Sequence, residues 1–398
     1  MVQLLRRVED VLRAPVAVVA AGVATPLGLD LETFWSGLVT GVDGTSRIER
    51  FDVDDLRVGR GGEIKKLAAL ADAASAPCRA SAMLLMAADD LLSHAPLTAD
   101  PARIAVVLGT ALGGVDELDR AIGEAPGPRT AAGGLYDSPA HALARRLHAR
   151  GPVLTVSTAC ASGATAIGVG ADLLNADAAD LVVAGGYDIL CRFVMRGFDA
   201  LRSLTRDRVR PFDRRRSGLL LGEAAGLVLL ARGSDARAPL GRLLGYASSS
   251  DGSHIAAPDP EGRGLEHALR AAMGAAGIAA PDVDLVSAHG TGTVLNDRIE
   301  TGVVKRVLGA QAYRVPMNSI KGALGHTMGA AATLEAIMCL LAARDGVVPS
   351  TVGYEEPDPA CDLDYVPRAA RHARTRISVS TSLGFGGCNA ALVLEGGA

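Results

Sequence analysis

Four short stretches of this chain gather residue types that can do chemistry. The segment STACASG (157–163) follows the β-branched run VLTVS and leads into a helical pattern of small residues, so Cys160 falls at a helix N-terminus. Unpaired backbone N–H groups and the helix dipole favour a thiolate there, and the same N–H groups can stabilise an oxyanion when the sulfur attacks a carbonyl. A buried structural cysteine fits the local sequence equally well. In SAHGTGT (287–293), His289 closes an apolar strand and two glycines follow within three residues. That turn lets a ligand approach the backbone, with the Thr291 and Thr293 hydroxyls as donors; taken alone, such a histidine reads by default as a satisfied structural one. In NSIKGALGH (318–326), Lys321 is one of only 4 lysines, set after an apolar strand, and His326 precedes another small-residue helix. A buried lysine needs a partner, and Glu335 is a candidate; a lysine on a solvated loop is the alternative. SLGFGGCN (382–389) is a glycine-rich loop after RISVS. It lacks the dinucleotide fingerprint, and no GxxxxGK[ST] loop for nucleotide phosphates occurs in the chain.

Positioning these groups falls to an alternation of strands and helices. Strands are expected at 15–22, 103–110, 151–158, 179–186 and 225–232, then, after a polar join at 235–239, at 239–250, 283–290, 313–319, 376–382 and 389–396. Helical patterns fill the gaps, clearest at Gly264–Gly277 and Gly329–Arg344. Near-continuous apolar strands between helices indicate an α/β fold whose sheets are covered on both faces. VLTVSTACASGA and ISVSTSLGFGGCNAA echo one another weakly, which suggests a duplicated half-fold. The expected division is 1–237, carrying the thiol, and 238–398, carrying the histidines, with no linker between them and hence one compact unit.

Composition narrows the class. The 398 residues are 49% apolar but only 3% aromatic, so a large core must be built from Ala, Val, Leu and Gly. A net charge of −4 argues against a general nucleic-acid binder. The 6 cysteines show no paired spacing, which reads as reduced thiols in a cytoplasmic protein with no metal site. Arginines ahead of an apolar run imitate a secretory signal at the N-terminus, but Glu9, Asp10 and Arg13 interrupt it, and the run reads better as a first buried strand. Residues 151–171 carry no charge, yet they are too rich in Gly, Ser and Thr for a membrane span.

Taken in order, TACASGATAIGVGADL, AHGTGTVLND, KGALGHTMGAA and GFGGCNA resemble the elongating β-ketoacyl-[acyl-carrier-protein] synthases, the condensing enzymes of fatty-acid and polyketide synthesis. The resemblance runs from AGVATPLG through RPFDRRRSGLLLGEAAG to the last strand. It implies a thiolase-like fold, two similar five-stranded halves stacked as α-β-α-β-α. It also implies a homodimer or a heterodimer with a related subunit. By motif, Cys160 is the acyl-accepting nucleophile, and His289 and His326 serve decarboxylation and enolate stabilisation. Lys321 supports the second histidine with Glu335 as its acidic partner, and Asp297 and Glu300 hold the polar network behind the site. Thr291 and Thr293 contact pantetheine, and Phe385 is a gate whose N–H joins the oxyanion hole. No cofactor of its own is implied, because phosphopantetheine arrives on the acyl carrier protein, as acyl and malonyl thioesters. Ala332 stands where the family has glycine, and Cys388 where Thr or Ser is common; effects on packing or pocket shape are expected.

The implied reaction is a decarboxylative Claisen condensation, with a specialised polyketide or polyene pathway slightly favoured over primary fatty-acid synthesis. A non-catalytic chain-length partner subunit would lack the nucleophile, and a cysteine-dependent acyltransferase or hydrolase needs one histidine rather than two. Residues 202–216 hold seven arginines against Asp207 and Asp213. Some are expected to pair internally, as Arg210 with Asp213; the others suit an acidic carrier protein.

Overall fold

The computed structural model describes residues 15–67, 78–115, 117, 133–233 and 238–397. Ten strands form one sheet: β1 (Val16–Ala24), β2 (Ile104–Gly109), β3 (Val153–Val156), β4 (Leu181–Asp188), β5 (Ala224–Arg232), β6 (Gly241–Ser250), β7 (Leu285–Ser287), β8 (Met317–Asn318), β9 (Ile377–Gly384) and β10 (Cys388–Gly396). Each overlaps a run that the β-branched pattern marks as a strand, and β1, β4, β5, β9 and β10 extend one or two residues beyond it. The two helical runs singled out also form, as α6 (Arg263–Ala276) and α8 (Ala331–Asp345).

Strand order shows the duplication directly. The first five strands run β3-β2-β4-β5-β1 and the second five run β8-β7-β9-β10-β6, the same order displaced by five. Pairing types match as well: β3, β2 and β4 are parallel, as are β8, β7 and β9, and the remaining pairs within each half are antiparallel. The halves join through β1 and β6, where Val16–Val18 pair with Gly241–Leu243. The echo in the sequence misplaces the repeat. VLTVS lies in β3, whose counterpart is β8, whereas ISVST lies in β9, the counterpart of β4. The expected division at 237/238 abuts residues 234–237, which lie outside the described residues.

Helices cover and separate the half-sheets. Helix α1 (Leu31–Val39) follows β1; on one side, α2 (Arg79–His94) packs on β1, β4 and β5, and α3 (Ser138–Arg146) packs on β2 and β3. On the far side, α6 packs on β6, β9 and β10, with α7 (Val294–Leu308) against it. Between them lie α4 (Ser162–Asn175) and α8, which touch each other and strands of both halves. This is the five-layer α-β-α-β-α arrangement. A helix buried on all sides cannot be amphipathic. The first twelve residues of α8, Ala331–Ala342, are all buried, and the one carboxylate among those twelve, Glu335, must find a partner inside. The uncharged stretch 151–171 becomes β3, a turn and the first part of α4, and among the described residues no helix is long and apolar enough to cross a membrane. The apolar run near the N-terminus is strand β1; residues 1–14, with the arginines of the signal-like pattern, lie outside the described residues.

Candidate active site

Parallel strands end on one edge of each half-sheet, and the chemically suspect segments leave from those ends. Beyond β3 the chain turns through residues 157–161 into α4. Ala159 adopts φ +51°, a left-handed conformation that a residue with a Cβ rarely takes, and Cys160 follows it. Ser162 clamps this turn: its hydroxyl accepts from Thr158 N (2.9 Å) and donates to the Ala159 carbonyl (2.5 Å). Beyond β7 comes His289, then the glycine turn. Gly290 has φ +39°, and a Cβ there would lie 2.5 Å from the Ser319 side chain, so only glycine lets the two loops touch. Beyond β8, one helical turn (Lys321–Leu324) carries Lys321, and His326 sits before α8. Beyond β9 lies Phe385.

These segments converge. The Cys160 sulfur and one ring nitrogen from each of His289 and His326 lie within 4.8 Å of one another, all buried. The imidazoles meet edge to face with centroids 5.2 Å apart. His326 is pinned across the two halves, its N–H donating to the Leu220 carbonyl (2.7 Å) and its own carbonyl accepting from Gly222 N (2.9 Å). Met328 N donates to His326 Nδ1 (3.3 Å), which leaves Nε2 to carry the proton. His289 is held by its backbone: its N–H and that of Gly290 donate to the two oxygens of Glu300 (2.7 and 2.9 Å), which also accepts from Thr381 Oγ1 (2.7 Å). Asp297 accepts from Phe212 N (2.7 Å) and from the Asn296 amide (3.1 Å). Both carboxylates are buried and accept from backbone N–H groups, Glu300 from His289 and Gly290 and Asp297 from Phe212.

The electrostatics follow from burial. Lys321 is buried and ion-paired with Glu335, which decides the open question between a solvated loop and a paired interior lysine. Burial pushes the Glu335 carboxyl up, and the ammonium pulls it back. Burial, followed by the Lys321 charge, holds His289 and His326 well below the ordinary imidazole range, so both are neutral. Burial pushes Asp297 up to about 6. For Cys160 burial works against the helix-terminus effect: it pushes the thiol up to about 12, while the Lys321 charge and the Phe385 N–H pull it back. The sulfur is protonated until a base takes its proton, and a neutral imidazole beside it can.

A cleft of about 400 Å³ leads to this trio. Thr291 and Thr293, whose hydroxyls are 2.9 Å apart, line it, as does Phe385. Lys321, Glu335, Asp297 and Glu300 do not. Neither do Ala332, buried in the core, or Cys388, which opens β10, so neither departure lines the cleft. Phe198 and His254 are among the wall residues that escaped sequence reasoning. Phe198, on α5 (Arg192–Ala200), stacks on Phe385 at 5.4 Å, and His254 lies in a polar loop whose Ala256 and Ala257 N–H groups donate to its Nδ1. Scarcity was the one available signal for both, in a chain with 6 phenylalanines and 8 histidines. A larger concavity, about 1140 Å³, lies around Arg242, His372 and Arg376, away from the trio. One thiol and two imidazoles so close together also form a soft-metal donor set.

The arginine segment is partly spoken for. Arg208, Arg210 and Arg215 all pair with Glu355, and Arg216 with Asp358. Arg210 also takes Asp207, and not Asp213 as expected, because the buried Asp213 accepts from the N–H groups of Glu355, Glu356 and Arg215. Arg202, Arg206 and Arg214 have no ion pair among the described residues.

Comparison with known proteins agrees with this geometry. Residues 13–236 match the family model of the beta-ketoacyl synthase N-terminal domain, and residues 240–355 that of its C-terminal domain. A tetracenomycin polyketide synthase ketoacyl synthase alpha subunit of Streptomyces glaucescens is 36% identical, covering 95% of this chain and 96% of its own. A 3-oxoacyl-[acyl-carrier-protein] synthase 2 of Rhizobium meliloti is 33% identical, covering 96% and 98%. The ishigamide ketosynthase/chain length factor structure superposes with a TM-score of 0.89 at 32% identity, over 97% of this chain and all of that one. A type II polyketide-synthase ketosynthase solved with its acyl carrier protein gives 0.89 at 26%, covering 96% and 100%. A strained turn carrying Cys160 in one half, two buried imidazoles from the other and a match along nearly the whole length place this chain in the β-ketoacyl synthase family of acyltransferases.

Proposed function

We propose that this chain extends a polyketide-type acyl chain by decarboxylative condensation on Cys160. The observation that carries this reading is the trio of Cys160, His289 and His326 at the floor of one cleft. An acyl thioester on a carrier's phosphopantetheine enters between Thr291, Thr293 and Phe385, and the sulfur of Cys160, its proton taken by a neighbouring imidazole, attacks the thioester carbonyl. The carrier thiol leaves with a proton, and the acyl group stays activated as a thioester. A malonyl thioester follows. Neutral His289 and His326 donate hydrogen bonds to its thioester oxygen as the C–C bond to the carboxylate breaks, CO2 departs and an enolate forms. The enolate carbon attacks the acyl-Cys160 carbonyl, whose developing oxyanion the Phe385 N–H can meet, and collapse returns the thiolate with a β-ketoacyl thioester on the carrier.

The polyketide preference rests on the relatives: Streptomyces polyketide synthases at 36–37% identity, against 33% for the 3-oxoacyl synthases. The partners implied are an acyl carrier protein and a second, related subunit. Solved neighbours are described as complexes with each. The outer strand β3 is a sheet edge with Leu154 exposed, and Leu135 and Tyr136 are exposed as well, apolar side chains that a second subunit would cover. Incubation with acyl- and malonyl-carrier protein tests the proposal. An acyl mass shift on Cys160 and release of CO2 from the malonyl carrier support it; loading without CO2 release would identify an acyltransferase or hydrolase, and neither would identify a non-catalytic partner subunit.

A further inference from the structure

Asp188 ends β4, fully buried, and no step above uses it. Its carboxylate accepts four hydrogen bonds: Oδ1 from Thr110 Oγ1 (2.7 Å) and Leu112 N (2.9 Å), Oδ2 from Ala111 N (2.9 Å) and Gly329 N (2.6 Å). Three of these donors lie in the turn after β2. The fourth lies in the other half, in the turn that holds His326, where Met328 adopts φ +49° and donates to His326 Nδ1. Glycine is required at 329, since a Cβ would lie 2.7 Å from Asp188 Oδ2 and from Thr110 Cα. Thr110 N in turn donates to the carbonyl of Val156 (3.1 Å), which ends β3 just before the Cys160 turn, and the Thr110 carbonyl lies 3.3 Å from Ser162 Oγ, the hydroxyl that shapes that turn. One carboxylate therefore connects the frame of the nucleophile with the frame of an imidazole from the opposite half.

We propose that Asp188 is a positioning residue for the condensation, holding the His326 turn in register with the Cys160 turn. The inference rests on the function proposed above. Asp188→Asn keeps the shape but must aim an NH2 group at two of the four donors, so the contact with Gly329 or that with Thr110 gives way. A displacement of that kind costs a reaction about 10²-fold. Decarboxylation of malonyl carrier protein should fall by about that factor, while loading of Cys160 stays within about threefold, because the turn at 157–161 keeps its own clamp. The charge of Asp188 faces Tyr136, Tyr187 and Cys160 and disfavours the thiolate. Its removal should therefore shift the pH profile of Cys160 alkylation by iodoacetamide to lower pH, which a purely structural loss would not do. Wild-type decarboxylation in the variant, or equal loss in both half-reactions with an unmoved alkylation profile, would overturn the proposal. If Asp188→Asn does not fold, Thr110→Val decides: it removes one donor, and the same bias against decarboxylation must appear. A wild-type protein that neither loads nor decarboxylates overturns the proposed function instead.

Discussion

Beyond β3 the chain needs only residues 157–161 to reach α4, whereas at the equivalent place beyond β8 it takes residues 319–330 to reach α8. The short connection makes one strained turn and presents one reacting atom. The longer one places Lys321, pins His326 against Leu220–Gly222 and returns to a helix whose Glu335 neutralises the lysine. Other equivalent strand ends differ in the same sense. Thr110 follows β2 and Asp188 ends β4, and both are tied into hydrogen bonds; their counterparts lead to His289 beyond β7 and Phe385 beyond β9, which line the cleft. A duplicated frame supplies matching strand ends, and their use diverges. One half holds the thiol rigidly, and the other supplies the donors whose charge state must be set by burial.

The sharpest break between the halves is the thiol itself. Cys160→Ala should lower acyl loading by about 10³-fold or more while leaving a folded protein, read as loss of the mass shift after incubation with an acyl carrier protein. Loading that persists would move the nucleophile elsewhere. Next come the imidazoles: His289→Ala or His326→Ala should slow CO2 release by about 10²–10³-fold and loading by far less. Equal losses in the two half-reactions would erase the division of labour. Because both imidazoles are held well below their ordinary range, the decarboxylation rate should show no inflection near pH 6.5. The sign for stability follows: the unfolded chain binds these protons more readily, so this contribution weakens as pH falls below about 6.5.

Third in size is the buried ion pair. Lys321→Ala leaves the Glu335 carboxylate uncompensated and should cost about 3–5 kcal/mol in denaturant unfolding, whereas Lys321→Met with Glu335→Leu should cost less. A double variant as unstable as the single one would show that the pair itself stabilises the core. The smallest effect concerns the surface. Arg206→Glu with Arg214→Glu, at arginines free of ion pairs among the described residues, should raise the KM for carrier-bound substrates several-fold at low salt and leave small pantetheine thioesters unaffected. Arg208 and Arg215 are unsuitable for this test, since both hold Glu355. Equal loss on both substrate types would mean that the segment is structural and that docking lies elsewhere.

The sequence by itself determined the strands and the order of the motifs. A buried strand must be an apolar β-branched run, and a helix crossing the interior must be made of small residues, so both are written locally. It also marked Cys160, His289 and Lys321, each just past an apolar strand, and His326 ahead of a small-residue helix, while Phe385 was marked only by the family resemblance. Tertiary structure decided what those groups are. The thiol is pushed up by burial at the floor of a cleft built from both halves, which no seven-residue window contains. Phe198 and His254 join the site because α5 and the loop after β6 fold over it, and Arg210 takes Glu355, not Asp213, because a segment 145 residues later lies beside it. The repeat was misaligned by its faint echo for the same reason: equivalence between β3 and β8 resides in hydrogen-bonded neighbours, and pairing partners across a sheet leave no local mark on the chain.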